Sequence, residues 1–258
     1  AREAVISIMD RKKFGDAGNV IVIEEFLTGP EVSVLSFTDG KTIIPMVSAQ
    51  DHKRVFDGDK GPNTGGMGAF SPSNVYTEEI AEVCMNRIFR PTIEAMNKEG
   101  RTFKGVLYFG LIITQDGPKV LEYNARFGDP ETQVVLPRLK NDLLDIVEAV
   151  IDGRLDEVKI EWDNSACLCV IMASGGYPQE YRKGLKISGL DAVKKGEDIL
   201  VFHAGTKKVG NEYFTNGGRV LGVTALGQTL KDARDKAYSQ VAAIHFDDAH
   251  YRRDIGNF

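Results

Sequence analysis

Hydrophobic positions along the chain switch repeatedly between helical spacing and strict alternation. Val5, Ile8 and Met9 predict a helix within Arg2 to Lys13 that opens at Ala1 without a capping residue, so the expectation is a helix cut into and a chain whose start is truncated. Val20 to Phe26 alternates and predicts a strand ending at Leu27-Thr28-Gly29-Pro30. Glu31 to Phe37 and Thr42 to Ala49 predict an antiparallel pair, because Asp39-Gly40 between them is a strong hairpin signal. Gln50 to Asn74 is polar, glycine-rich and aperiodic, which predicts a long functional loop. Thr77 to Glu99 reads as a helix with Glu78 and Glu79 in its first turn, Gly100 past its end, and a kink or division at Pro91. Gly105 to Thr114 and Pro118 to Asn124 predict a second hairpin about Asp116-Gly117, and Asp142 to Ile151 a helix stopped by Gly153. Strands at Ala166 to Ala173, Ile199 to Ala204 and Arg219 to Ala225 and a helix from Leu230 to His245 follow a boundary near Glu161 to Ser165. The result is an α+β chain whose last third is a small α+β unit of its own.

Composition narrows the function classes. At 258 residues and 42% hydrophobic, the chain is long enough for two domains with a sizeable core, and no apolar run reaches membrane-spanning length. Its 32 basic and 37 acidic residues give a net charge of −5 with both signs interspersed, so there is no basic footprint for nucleic acid and an anionic ligand has to be bound locally. Cys84, Cys167 and Cys169 are an odd set, and the Cys-x-Cys pair in an apolar strand reads as core, which suits a reducing cytoplasm.

Candidate chemistry gathers after the second hairpin, in Glu122-Tyr123-Asn124-Ala125-Arg126-Phe127-Gly128-Asp129-Pro130-Glu131-Thr132-Gln133. Two residues apart on a strand, Glu122 and Asn124 share a face, and a carboxylate with an amide oxygen suits Mg2+, whose other ligands are water and nucleotide phosphate. Arg126 follows closely enough to offset charge beside that cation. An ion pair of Glu122 with Arg126 capping a strand is the plainer alternative. Glu24-Glu25-Phe26-Leu27 runs into a tight turn, leaving backbone groups that an adenine edge can use, and Glu31 can accept from ribose hydroxyls; solvated edge carboxylates would look the same. Lys53 and Arg54 precede Gly61-Pro62-Asn63-Thr64-Gly65-Gly66-Met67-Gly68, which joins cationic groups to close backbone approach for a phosphate or carboxylate, yet matches neither the P-loop nor a G-x-G-x-x-G fingerprint; the glycines alone are better read as a mobile surface loop. Arg219, after Gly217-Gly218, is a candidate substrate contact.

These segments occur in an order that resembles the phosphoribosylamine-glycine ligase (glycinamide ribonucleotide synthetase) family of ATP-grasp enzymes of purine synthesis. The resemblance runs from about Phe14 to Gly256 and rests on Ile23 to Leu27, Gln50-Asp51-His52-Lys53-Arg54, Gly61 to Gly68, Arg126 to Gln133 and Thr215-Asn216-Gly217-Gly218-Arg219. It implies an ATP-grasp core of a partial lid with the adenine hinge over 1–30, a central antiparallel-sheet domain over 31–162 and a C-terminal α+β domain over 163–258. The family's N-terminal domain and the first part of its lid are not matched by any segment. Glu122 and Asn124 correspond to metal positions for Mg2+ or Mn2+, Glu24, Glu25, Phe26 and Leu27 to the adenine hinge, and Glu31 to the ribose carboxylate of an ATP site. The strand before Glu122 departs from many ATP-grasp enzymes, because Leu107-Tyr108-Phe109-Gly110-Leu111 offers no further carboxylate.

What the resemblance implies for activity is an ATP-dependent ligase joining glycine to 5-phosphoribosylamine through glycyl phosphate. Lys53, Arg54, Arg126 and Asp129 would be catalytic, and Asp51, Asn63, Thr64, Gly65, Asp129, Glu131, Thr132 and Arg219 would bind substrate. Partners are then small molecules, with no nucleic acid and no membrane. Two alternatives stand beside it: another ATP-grasp carboxylate-amine ligase or carboxylase, and a non-catalytic nucleotide-binding fragment.

Overall fold

The structure is a computed structural model of the chain and describes residues 1–193, 196 and 198–257. Its first helix, α1 (Arg2–Val5), continues as a wider π-turn stretch over Ile6–Asp10 and has no side-chain cap. The alternation of Val20 to Phe26 does not produce a strand: among the described residues no strand pairs with this segment, and Val22, Ile23 and Phe26 are 81%, 84% and 90% exposed. Period-two patterning is only half of a strand, and the ladder partner is missing here.

The first hairpin forms as expected. Strand β1 (Glu31–Thr38) turns through Asp39-Gly40 into β2 (Ile43–Pro45), and further along Met46 N–H donates to the Leu35 carbonyl and Ala49 pairs with Ser33. Asp39 fixes the turn with Oδ1 accepting from the N–H groups of Lys41 and Thr42 at 2.9 and 2.7 Å, and Oδ2 from Leu155 at 3.2 Å. Burial raises its pKa, but these backbone donors outweigh it and hold the carboxyl below its ordinary value.

Gln50 to Asn74 is not a free loop. It folds as β3 (Gln50–Asp51), β4 (Arg54–Phe56), β5 (Lys60–Asn63) and β6 (Gly68–Ser71), and β6 is buried along its length. Polarity and glycine content masked these strands: β4 pairs locally with β5 and β3 with β6, and β6 finds its other partner a hundred residues onward. Helix α2 (Glu78–Cys84), capped by the Thr77 side chain, passes through a π-turn stretch at Met85–Phe89 into α3 (Arg90–Lys98), so the irregularity expected at Pro91 lies just before it. Strands β7 (Gly105–Thr114) and β8 (Gly117–Asn124) make the second hairpin. A short helix that periodicity did not signal, α4 (Thr132–Val135), precedes α5 (Leu143–Asp152), which Asp142 caps and Gly153 ends in the left-handed conformation.

The last third supplies β9 (Ala166–Ala173), β10 (Lys186–Ile187), β11 (Ile199–His203), β12 (Thr206–Val209), β13 (Glu212–Thr215), β14 (Arg219–Gly227) and α6 (Leu230–Val241). The closing helix stops before His245 because that residue's backbone pairs with Ser188 instead. Strands β10, β13 and β12 form a small sheet that the sequence pattern did not reveal.

Two larger sheets govern everything else. One has the order β2-β1-β7-β8, the other β11-β14-β9-β6-β3, so the second draws two of its strands from residues 50–71 and does not belong to the last third alone. Alternation along β1 sends Val32 and Val34 toward α2 and α3, and Leu35 and Phe37 toward a middle core. That middle core holds Val134, Val135, Ile146, Val150, Cys167 and Cys169 between the sheets, while α6 covers the far side of the second sheet. All three cysteines are free and buried.

Strand β6 can lie against β9 only because residue 68 has no side chain. A Cβ on Gly68 would stand 2.7 Å from the Cys169 carbonyl oxygen and 2.8 Å from Ile255 Cγ1. Gly68→Ala should therefore destabilise the fold by about 1–3 kcal/mol. Urea unfolding checks this, and a midpoint equal to that of the wild type would show that the close approach does not matter.

Candidate active site

Where the ends of the two sheets meet, a cavity of about 150 Å3 is lined by Asp51, Lys53, Thr64, Gly65, Tyr108, Glu122, Asn124, Arg126, Asp129 and Glu131. Tyr108 comes from within β7; the others come from a strand end or the loop just after it. Strand β8 carries a bulge, with Gly110 opposite Glu122 and Leu111 opposite Val120. The extra residue keeps Glu122 and Asn124 on the cavity side. A Cβ on Gly110 would stand 2.9 Å from Glu122 Cγ, so the absence of a carboxylate on β7 has a steric counterpart: the space is taken by Glu122 itself. Glu122 and Asn124 thus provide one carboxylate and one amide, which fits Mg2+ completed by phosphate and water. Among the described residues, no three His, Cys, Asp or Glu side chains converge as a cage.

Glu31, at the start of β1, takes Lys53 Nζ at 2.7 Å. Burial alone would lower the Lys53 pKa, but this bond and the nearby carboxylates raise it, so the ammonium stays charged. Ser33, two residues on, donates its only O–H to Glu131 Oε1 at 3.0 Å and contacts Tyr108 Oη at 2.9 Å, so Tyr108 is the donor in that pair. Burial, with Glu131 beside it, pushes the Tyr108 phenol well up and keeps it protonated. Ser33 and Tyr108 were not expected at the site. The available signal was a hydroxyl at inward positions of strands that otherwise alternate into a core.

Arg219, at the head of β14, ties the loops together. Its guanidinium donates to the Gly65 and Asp129 carbonyl oxygens, both at 2.7 Å, and to Asp129 Oδ2 at 3.0 Å. Gln133 Nε2 donates to Asp129 Oδ1 at 2.8 Å, so both carboxylate oxygens of Asp129 are committed. Arg126 is exposed and donates to the Phe127 carbonyl.

Other expected residues lie apart. Arg54 points away and donates to the Gly61 carbonyl at 2.7 Å, Asn63 is exposed on β5, and the Thr132 hydroxyl is turned back onto Gly128. Glu24, Glu25, Phe26 and Leu27 form an open strip beside β8, held by the ion pair of Glu25 with Lys119 at 3.0 Å.

The family model "Phosphoribosylglycinamide synthetase, ATP-grasp (A) domain" matches residues 1–132, and the C-domain model of the same synthetase matches 167–258. A phosphoribosylamine-glycine ligase of Halalkalibacterium halodurans is 51% identical over 254 residues, covering 98% of this chain and 58% of that protein. The Escherichia coli K12 enzyme of the same name is 51% identical over 260 residues, covering 99% and 60%. The crystal structure of phosphoribosylamine-glycine ligase from Thermotoga maritima superposes with a TM-score of 0.85 at 33% identity, covering 99% of this chain and 64% of that one. A biotin carboxylase domain shares the fold, with a TM-score of 0.65 at 12% identity. The chain thus spans about three-fifths of the curated relatives it matches.

The Asp51 carboxyl sits above its ordinary range, through burial first and Glu131 second, against the opposing charges of Lys53 and Arg219. An acid that binds its proton more tightly when folded contributes stability below its unfolded pKa, near 3.8, and loses it as pH rises through the folded value. Asp51→Asn should therefore gain on the wild type in urea midpoint between pH 4 and pH 7. A difference that shrinks with rising pH would rule out a raised Asp51.

Proposed function

Since the chain belongs to the phosphoribosylglycinamide synthetase family of ATP-grasp proteins, we propose that its protein joins glycine to 5-phosphoribosylamine at the expense of ATP. A carboxylate is a poor electrophile. Transfer of the γ-phosphoryl to a glycine carboxylate oxygen gives glycyl phosphate and ADP. The amine of 5-phosphoribosylamine then attacks the acyl carbon, phosphate leaves with the C–O bond electrons, the nitrogen loses a proton, and glycinamide ribonucleotide results. The observation that carries this reading is the meeting of Lys53, Glu122, Asn124 and Arg126 around one small cavity at the sheet ends.

Each side chain has a defined task. Glu122 and Asn124 would hold a divalent cation, Mg2+ or Mn2+, which when bound offsets the charge of the ATP phosphates. Lys53 and Arg126 offset negative charge on the acyl phosphate and on the tetrahedral species that follows it. Thr64, Gly65, Asp129, Glu131 and Arg219 shape the substrate side. Glu24 to Leu27 would present their backbone to adenine, with Glu31 near the ribose. In this proposal residues 1–30 serve as lid and hinge, 31–162 as the central domain and 163–258 as the closing domain. Among the described residues no helix is long and apolar enough to cross a membrane. The buried free cysteines support a reducing compartment, and we assign the cytoplasm.

ADP release by the natural full-length protein tests the reaction, and it should require both glycine and 5-phosphoribosylamine. Turnover with other acids and amines but not with these would point to a different carboxylate-amine ligase. Glu122→Gln in the same protein should lower kcat/KM at least about tenfold and raise the Mg2+ concentration giving half-maximal rate. Glu31→Ala should weaken ATP binding about tenfold or more, since a charged acceptor is lost and Lys53 is released. An unchanged metal requirement, or unchanged ATP affinity by calorimetry, removes the respective residue from the site.

A further inference from the structure

Lys53, Thr64 and Gly65 reach the cavity from the root of the β4–β5 ribbon, and that ribbon has little of its own to stand on. It is a two-stranded sheet apart from the two larger ones, and among its strand residues only Val55 is buried. Pairing toward β6 stops at His52, whose N–H donates to the Gly68 carbonyl and whose carbonyl accepts from Met67. Beyond it the Lys53 carbonyl accepts from the Thr64 N–H at 2.8 Å and from the Thr64 hydroxyl at 2.9 Å, which ties Lys53 to both arms of the ribbon. A hairpin alone is marginal in water, so the position of Lys53 depends on what grips the ribbon from outside.

The grip comes from residues 250–256. Arg252 is only 1% exposed. Its Nη1 donates to the Arg54 carbonyl at 3.1 Å and to Asp59 Oδ1 at 2.7 Å, while Nε and Nη2 donate to Asp254 Oδ1 and Oδ2, both at 2.8 Å. Asp254 Oδ2 also accepts from the Gly58 N–H at 2.8 Å, and Asp57 Oδ1 accepts from the Arg253 N–H at 2.8 Å. His250 Nε2 donates to the Val55 carbonyl at 2.8 Å. One strand of the ribbon and its turn are thus held residue by residue. Burial alone would lower the Arg252 pKa, but Asp254 and Asp59 outweigh it; burial would raise that of Asp254, but Arg252 and the Gly58 N–H hold it well below its ordinary value. Both groups are charged, and a buried guanidinium with its acceptors met on both sides is costly to disturb. Arg252 itself does not line the cavity.

We propose that Arg252 is a positioning residue for the phosphoryl-transfer reaction: with Asp254 it clamps the β4–β5 ribbon, and through the ribbon it sets the Lys53 ammonium at the cavity. This rests on the ligase reading above and adds to it a residue that touches no substrate.

The test uses the natural full-length protein. Arg252→Lys keeps a cation but cannot hold the Arg54 carbonyl, Asp59 and both Asp254 oxygens together. It should lower kcat for ADP release with glycine and 5-phosphoribosylamine about 10- to 100-fold, the cost of shifting a charge-stabilising group by about 1 Å, while the KM for glycine changes less than about threefold. Hydrogen exchange over residues 54–63 should quicken while β1 and β9 keep their wild-type rates. Lys53→Ala supplies the second arm: if Arg252 acts through Lys53, the double variant should be slower than Lys53→Ala alone by less than about twofold. Where Arg252→Lys does not fold by its melting curve, Asp59→Asn carries the test, since that side chain is exposed and asparagine accepts the left-handed backbone found there. It removes one arm of the clamp and should lower kcat at least about threefold, with the same loss of additivity. A folded variant with wild-type kcat, unchanged exchange over 54–63, or losses that multiply in full with that of Lys53→Ala overturns the proposal. If the wild type releases no ADP with these substrates, the ligase reading falls and this proposal with it; an active wild type with multiplying losses removes Arg252 alone.

Discussion

The guanidinium of Arg219 is the contact on which the site depends. It reaches from the head of β14 in one sheet to the Gly65 carbonyl and to both the carbonyl and the carboxylate of Asp129, which follows β8 in the other. Two glycine-containing loops close over the cavity, each with bonds of its own, Gly65 N–H to Tyr177 Oη at 3.0 Å and Gln133 Nε2 to Asp129 Oδ1 at 2.8 Å, and Arg219 joins one loop to the other. A planar fork of N–H donors can hold three acceptors at set angles, which a lysine ammonium on a flexible stem cannot do as well. The rest of the cavity is arranged around that fixed edge.

Beneath it, the inter-sheet core gives the rigidity that the loops lack. Leu35, Phe37, Val134, Val135, Ile146, Cys167 and Cys169 are fully or almost fully buried between the sheets, so the ends of β1, β7 and β8 are set by packing before any ligand enters. Upon that base the polar groups are linked in a chain: Tyr108 to Ser33 to Glu131 on one side, Lys53 to Glu31 on the other. Asp51 is the break in the chain. Leaving one buried oxygen unsatisfied and crowding it with Glu131 costs stability, and such local costs collect where a protein binds something.

How much of this could be read from the sequence follows from contact range. The Asp39-Gly40 and Asp116-Gly117 hairpins, the Asp142 and Gly153 helix limits and the same-face placement of Glu122 and Asn124 are settled within a dozen residues, and all were legible. Strand β6 pairs with β9, a hundred residues away, and its glycine and serine content gave no local sign of it. The reverse error at Val20 to Phe26 has the same cause, since alternation predicts a strand but cannot supply its neighbour. Within the site, Lys53, Asp51 and Arg219 were reachable as charged residues beside glycines. Arg54 and Asn63 shared that neighbourhood and yet stand opposite each other on the β4–β5 ribbon, outside the cavity lining. Tyr108 and Ser33 were hidden by a core pattern that they also satisfy.

Charge gives the site its economy. With a net charge of −5 the chain offers an anionic nucleotide no general attraction, and screening at physiological salt limits long-range help to about 8 Å. Under the proposed function, binding must then come from groups at contact distance, and the cavity offers few: Lys53, Arg126 and the cation that Glu122 and Asn124 would hold. Lys53 and Arg219 are each spoken for by a carboxylate, which keeps them placed and lowers the cost of two cations near one another. Arg126 has no such partner among its hydrogen bonds and lies exposed, donating only to its own neighbour's carbonyl. In the proposed reaction it would be free to follow a phosphoryl group as charge moves from nucleotide to acyl phosphate, while the paired cations hold the frame.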